Sequence, residues 1–254
     1  MIEVSAPEPR ELATPGGVLV DGVDRTFRVR RTEVAALAGM SLSAAPGEIV
    51  GVVGPSGCGK TTLLELICGL QQPDSGLVRS DPAALMPQRD LLLPWATALD
   101  NAALALRARG MPRAEARELA RPWLVRFGLE GFEDTRPAAL SGGMRQRVAF
   151  LRTVLAGKPV LALDEPFAAL DALTRIQMQG WLDHVLADEP RTVVLVTHDV
   201  EEAVVLGDRV VVMSPRPGRA VATIAVDLPR PRHRTSPEVL ELRGRALEAL
   251  GVHS

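Results

Sequence analysis

Residues 54–62, Gly54-Pro55-Ser56-Gly57-Cys58-Gly59-Lys60-Thr61-Thr62, limit what this chain can fold into more than any other stretch. They spell G-x-x-x-x-G-K-[ST], a loop whose backbone N–H groups cradle nucleotide phosphates. Glu48 to Val53 reads as a short buried strand, and Thr62 to Cys68 as a helix, which is the strand–loop–helix context the motif needs. Glycines at 54, 57 and 59 let the backbone turn tightly and approach the phosphate oxygens. The new helix adds its unpaired N–H groups and the positive end of its dipole. Lys60 can then reach the β- and γ-phosphates, and the Thr61 hydroxyl can ligate Mg²⁺.

The rest of the chain is consistent with one globular protein built around that loop. Its 254 residues suffice for a large core, and 46% are hydrophobic, too many for a disordered chain. A net charge of −2 gives no reason to expect a nucleic-acid partner. No apolar run approaches the roughly 18 residues of a membrane span. Met1 to Pro7 has neither a basic start nor an apolar core, so no secretory signal is expected. Cys58 and Cys68 read as inert thiols of a reducing cytosol rather than a disulfide or metal pair.

Residues 1–16, rich in Pro, Glu and small residues, are expected to be a flexible tail. Val18-Leu19-Val20 and Phe27-Arg28-Val29 are β-like runs, with turn signals at Asp21-Gly22 and Pro46-Gly47. Asn101 to Arg107 and Arg113 to Leu119 have helical spacing and are separated by Gly110-Met111-Pro112. A further helix is expected from Met144 through Leu155. The continuous apolar runs Val160–Leu163 and Thr192–Val196, alternating with helices, mark a parallel sheet buried on both faces. Arg209–Met213 reads as another strand, Val221–Val226 as an edge strand, and Ser236-Pro237 to Gly251 as a closing helix. The expected fold is thus α/β: a P-loop ATPase core with a mostly parallel sheet, an antiparallel β subdomain and an inserted helical subdomain. In residue terms, one domain spans 17–254. Residues 17–90 and 157–213 form the core with its β subdomain, 91–156 the helical subdomain, and 214–254 a C-terminal strand and helix.

Two more stretches carry chemistry. Val160 to Leu163 ends in Asp164-Glu165, and at that strand end in a phosphate-loop protein the Asp helps to hold Mg²⁺. Glu165 beside it can polarise the water that attacks the γ-phosphorus. Leu140-Ser141-Gly142-Gly143-Met144-Arg145-Gln146-Arg147 places a hydroxyl and bare backbone at a helix start, a second anion-binding terminus. A chain holding one triphosphate has little use for two such sites. Two chains arranged head to tail do, because each site can close over the nucleotide held on the other.

With these motifs in order, the chain resembles the nucleotide-binding subunit of an ATP-binding cassette (ABC) transporter from about Val18 to Met213. The resemblance rests on the phosphate loop, Gln88, Leu140-Ser141-Gly142-Gly143, Asp164-Glu165, Leu170-Asp171 and His198. It implies ATP and Mg²⁺ as ligands. It implies that Gln88 contacts Mg²⁺ and the attacking water and senses a membrane partner, and that Ser141, Gly142 and Gly143 clamp the γ-phosphate on the opposite subunit. Asp171 would then sit at the dimer interface, and His198 would hold the γ-phosphate and orient Glu165. The family stacks adenine on an upstream aromatic residue, commonly Tyr. This chain has no Tyr, and Phe27 takes the position, as a stacking ring or a packed core residue.

With no membrane segment of its own, the chain is similar to bacterial importer subunits of the nitrate/sulfonate/taurine type, a group that includes importers of thiamine pyrimidine precursors. Leu92-Leu93-Pro94-Trp95, Met144, Ser214-Pro215-Arg216-Pro217-Gly218 and Leu228-Pro229-Arg230-Pro231-Arg232 carry that likeness. A short 76–88 segment and Phe150-Leu151-Arg152-Thr153 depart from it. The implied partners are a second copy, two membrane permease subunits and, indirectly, a periplasmic or lipid-anchored solute-binding protein. The implied place is the cytoplasmic face of the membrane. Leu91 to Trp95 suits either a docked partner helix or core packing. Arg230, Arg232 and Arg234 suit a solvated basic loop or, with less weight, anionic lipid. Rival readings fit less well. A DNA-repair ATPase of this class carries a long coiled coil where only about 80 residues separate Thr62 from Ser141, a translation factor carries two cassettes, and a kinase or GTPase leaves the Ser-Gly-Gly stretch unexplained.

Overall fold

The computed structural model describes residues 17–252 other than Arg31 and Ala169. The tail expected over residues 1–16 lies outside the described residues. In chain order the elements are β1 (Val18–Val29), β2 (Thr32–Ala44), β3 (Ile49–Val53), α1 (Lys60–Ile67), β4 (Ser75–Ser80), β5 (Ala83–Met86), α2 (Ala98–Ala102), α3 (Leu104–Ala108) and α4 (Arg113–Arg126). They continue with α5 (Gly142–Val154), β6 (Val160–Asp164), α6 (Ala172–Asp188), β7 (Thr192–Thr197), α7 (Val200–Leu206), β8 (Arg209–Met213), β9 (Ala220–Ala225) and α8 (Pro237–Ala249). They group into two compact units. Among the described residues, the first covers 17–85, 159–165 and 190–252, and the second 86–158 and 166–189.

The first unit is built on a six-stranded sheet of order β5-β6-β7-β3-β8-β9. The pairs β6–β7, β7–β3 and β3–β8 are parallel, and β9 joins antiparallel at the edge. Every residue of β3, β6 and β7 is buried, as their unbroken apolar runs require of strands covered on both faces. A second, antiparallel sheet of order β2-β1-β4 packs through Val18, Val20, Val23, Leu37 and Met40 onto the core that holds Val50, Val52, Leu63, Leu64 and Val194. The α/β class with both kinds of sheet is the one expected.

Two local expectations are corrected here. Asp21-Gly22 is not a turn between two strands. Strand β1 runs straight through it, with its register to β2 shifting between Val20 and Val23, and Gly22 takes φ 57°. A bulge with glycine in the left-handed region keeps the pairing while bending the strand. Of the three arginines expected in a solvated or lipid-facing loop, Arg232 departs from that expectation, while Arg230 stays exposed. The Arg232 side chain is only 2% exposed and donates to the carbonyls of Val204 and Val226 at 3.0 and 3.2 Å. Arg230 pairs with Asp208 at 2.6 Å and Arg234 with Glu201 at 2.8 Å. A guanidinium that satisfies the last carbonyls of a helix fastens it, and here α7 is the helix.

The second unit is helical, around an aromatic core. Phe127 lies 4.6 Å from Trp181, 5.8 Å from Phe150 and 6.3 Å from Trp123, centroid to centroid, and Phe150 continues the cluster to Phe167. The helix expected over 101–107 is two short ones, α2 and α3, which meet at Ala103. Among the described residues no helix is long and apolar enough to cross a membrane.

Candidate nucleotide site and family

In the first unit, β3 delivers the chain into the glycine loop and α1 leaves it. Gly57 and Gly59 have φ 77° and 105°, the left-handed region that a side chain disfavours. Gly54 is needed for a different reason. A Cβ there would lie 2.9 Å from Cys58 Sγ and 3.0 Å from Met213 Cβ. No side chain caps α1, whose first residue is Lys60. The Lys60 ammonium is buried inside the loop, donating to the carbonyls of Gly54 at 2.8 Å and Pro55 at 3.1 Å. Pro55 and Ser56 are exposed at the loop's rim, Cys58 is buried, and Thr62 is half-buried in the first turn of α1. Burial pushes the thiols of Cys58 and Cys68 up, the latter to about 11, so both are protonated at neutral pH.

Behind the loop, the Thr61 hydroxyl donates to Asp164 Oδ2 at 2.7 Å. Asp164 is buried at the end of β6, and desolvation raises its pKa although the Thr61 bond opposes the rise. A carboxylate and a hydroxyl side by side are oxygen donors of the hard type that Mg²⁺ selects, and a cation there would offset the cost of burying the charge. Among the described residues no group of three or more His, Cys, Asp or Glu gathers to hold a metal. The Thr61 and Asp164 oxygens, two protein donors, fit an ion that takes one or two protein ligands and completes its shell with phosphate oxygens and water.

Glu165 follows directly. Its φ is 47°, unusual for a residue with a side chain, and its N–H donates to Val196 O at 2.8 Å. The parallel register that sets Asp164 opposite Val196 brings the ends of β6 and β7 together. There Glu165 Oε2 lies 3.3 Å from His198 Nδ1, with Glu165 half-buried and His198 exposed. Strain of this kind at the carboxyl ends of parallel strands is characteristic of reaction sites. Phe27 is half-buried on β1 and carries Arg25 over its ring, 4.9 Å from Cζ to centroid. Arg25 is itself held by Gln71 and Asp74 at 3.1 and 2.8 Å, so one face of Phe27 is engaged.

The remaining candidates belong to the second unit. Ser141 caps α5, its Oγ accepting from Met144 N at 3.2 Å, and both Ser141 and Gly142 are exposed. Gly143 packs beside the Asp171 turn, where a Cβ would lie 3.5 Å from Leu170 Cδ2. Asp171 caps α6 by accepting from Thr174 Oγ1 at 2.6 Å and from the amides of Leu173 and Thr174. Those bonds, the Thr174 hydroxyl foremost, hold its carboxyl below the usual range. Gln88 is exposed in the segment between β5 and α2. Sequence reasoning missed Asp90, Asn101 and Arg145, which organise that segment. The visible signal was polar residues inside or beside apolar runs.

The ABC transporter family profile matches residues 37–168. The chain belongs to the ABC transporter family. A taurine import ATP-binding protein of Chromobacterium violaceum is 50% identical, covering 74% of this chain and 76% of its own. An aliphatic sulfonates import ATP-binding protein of Rhodococcus jostii is 44% identical, covering 91% and 93%. Among solved structures, a dimeric ATP-binding cassette bound to ADP and Pi superposes with a TM-score of 0.76 at 30% identity, over 83% of this chain and 99% of that one. The P-loop ATPase fold and the ATP-binding, ATP-hydrolysing class of this ABC cassette follow from that membership.

Proposed function

We propose that this cassette hydrolyses ATP between two head-to-tail copies and thereby drives import of a small solute, of the taurine or aliphatic sulfonate class or a thiamine pyrimidine precursor, through separate permease subunits at the cytoplasmic face of the membrane. The observation that carries the chemistry is Glu165, held in a left-handed conformation and paired with His198, one residue beyond the Thr61–Asp164 hydrogen bond. Lys60, with residues Gly54 to Thr62, binds the triphosphate. Glu165 takes the proton of the attacking water, and His198 keeps the carboxylate aimed while lying close to the γ-phosphate. Mg²⁺, when bound through Thr61 and Asp164, neutralises charge on the phosphates. Ser141, Gly142 and Gly143 of one copy close over the γ-phosphate held by the other, with Asp171 at the seam. Gln88 reports the state of the membrane partner. Phe27 offers its remaining face to adenine. The taurine and sulfonate classes rest on the names of the relatives, and the thiamine-precursor class and the partner set on the family resemblance.

Glu165→Gln tests the assignment. Loss of a positioned general base lowers kcat by about 10²–10⁴-fold. ATP should still bind, and the variant should run as a dimer on size exclusion with ATP present. Hydrolysis at the wild-type rate would remove Glu165 as the base.

A further inference from the structure

Two residues beyond Gln88, Asp90 begins a chain of contacts that ends at Ser141, all within the second unit. Asp90 Oδ2 accepts from Arg145 Nε at 3.0 Å. The same guanidinium, through Nη1, donates to Leu140 O at 2.9 Å, and Leu140 is the residue immediately before Ser141. A planar fork with several fixed donors can hold two acceptors at a set distance, which a flexible lysine does not do. Two turns further along α5, Arg152 donates to Leu91 O at 2.8 Å through Nη1 and to Asp90 O at 2.7 Å through Nη2. Leu91 has φ 43°, a conformation a branched aliphatic residue avoids, and Arg152 holds the carbonyl on either side of that strained N–Cα bond.

The other end of the segment is also tied. Asn101, fully buried, accepts from Leu93 N at 2.7 Å and donates to the carbonyls of Leu93, Ala96 and Thr97 at 3.2, 3.2 and 3.0 Å. The loop is therefore held in one shape and bolted to the helix whose first turn carries Ser141 and Gly142. From this loop Leu91 and Trp95 project 59% and 72% exposed.

We infer that Arg145 is a positioning residue which, through Asp90 on one side and Leu140 on the other, makes the Gln88–Trp95 loop and the Ser141 turn move as one body, with Arg152 as the second bolt. A partner that pushes the loop then shifts Ser141 toward or away from nucleotide on the opposite copy. The inference rests on the head-to-tail reading above. The Asp90–Arg145 ion pair is about one-third exposed at each end, so its electrostatic worth is small, and its value lies in geometry.

The test uses the full chain in the Glu165→Gln background, reading the ATP concentration that gives half-maximal dimerisation and, separately, the affinity of the monomer for a fluorescent ATP analogue. Arg145→Ala should raise the ATP requirement for dimerisation by about fivefold or more, the scale of an intersite coupling. Asp90→Asn should act in the same direction, and because the two residues share one contact the double variant should be no worse than Arg145→Ala alone. Monomer affinity and the melting temperature of Asp90→Asn should stay at the parent's values. Unchanged dimerisation in both variants, additive effects in the double, or a parallel loss of monomer binding would overturn the relay. If the Glu165→Gln parent itself stays monomeric with ATP, the sandwich fails first and the relay with it.

Discussion

Gly218 shows how far a site can depend on a residue that bears no functional group. It lies in the Ser214–Gly218 stretch, and its backbone zips to β2, with Gly218 N donating to Ala36 O at 2.8 Å and Ala38 N donating to Gly218 O at 3.1 Å. A Cβ here would run into the carbonyl oxygen of Cys58, inside the phosphate loop, and come within 2.6 Å of Met213 Cε. Gly59 abuts the same stretch of the strand, where a Cβ would lie 2.7 Å from Ala36 O. The phosphate loop is thus pressed against β2 and the 214–218 turn with no spare methyl of room. Gly218→Ala should cost about 1–3 kcal/mol by overpacking. It should also weaken ATP binding, because the atom displaced belongs to the loop. Thermal melting and nucleotide titration check both parts, and a stable variant with unaltered affinity would separate the turn from the loop.

Among the elements, Asp100 joins α2 to α4. Its carboxylate, 6% exposed, receives Arg113 Nη2 at 2.7 Å and Arg117 Nη1 at 3.0 Å. Those bonds, that from Arg113 foremost, bring its pKa from 3.8 down to about 2. A depressed carboxylate stabilises the fold fully above its ordinary pKa, and that contribution is lost as pH falls from 3.8 toward about 2. Asp100→Asn should therefore cost about 1.5–3 kcal/mol at pH 7. Its denaturation midpoints should change less than the parent's over that acid window. Equal acid sensitivity in both proteins would argue against the assignment. The same junction marks where sequence reading reached its end. Strands β3, β6, β7 and β8 were legible because a two-sided sheet writes an unbroken apolar run, and the phosphate loop because its glycines answer a local steric demand. The break at Ala103 carries no glycine or proline, so local propensity does not announce it. Helix α6 went unassigned although Asp171 caps it and its buried Met178, Leu182 and Val185 have helical spacing. The Leu91–Trp95 loop was ambiguous because exposure is a tertiary outcome, and the burial of Arg232 was invisible because its partners are carbonyls of another segment.

For the whole molecule, the sandwich makes a claim about reaction order. Two-fold symmetry brings residue i of one copy to residue j of its partner and the reverse, so two complete sites form together. If Ser141 must reach nucleotide bound at Lys60 of the other copy, hydrolysis below the dimerisation constant should rise with roughly the second power of protein concentration. A protomer that is complete alone gives the first power. Mixing two disabled variants sharpens the contrast. Lys60→Ala keeps a sound Ser-Gly-Gly turn and loses its phosphate site, whereas Ser141→Arg keeps the phosphate site and loses the turn. Each alone should be nearly inactive. In a mixed dimer one site has both halves intact, so with random pairing, half of all dimers carrying one of two sites, activity should return to roughly a quarter of wild type. First-order kinetics together with no recovery on mixing would show that each chain works by itself, and the Ser141 turn would then need another purpose.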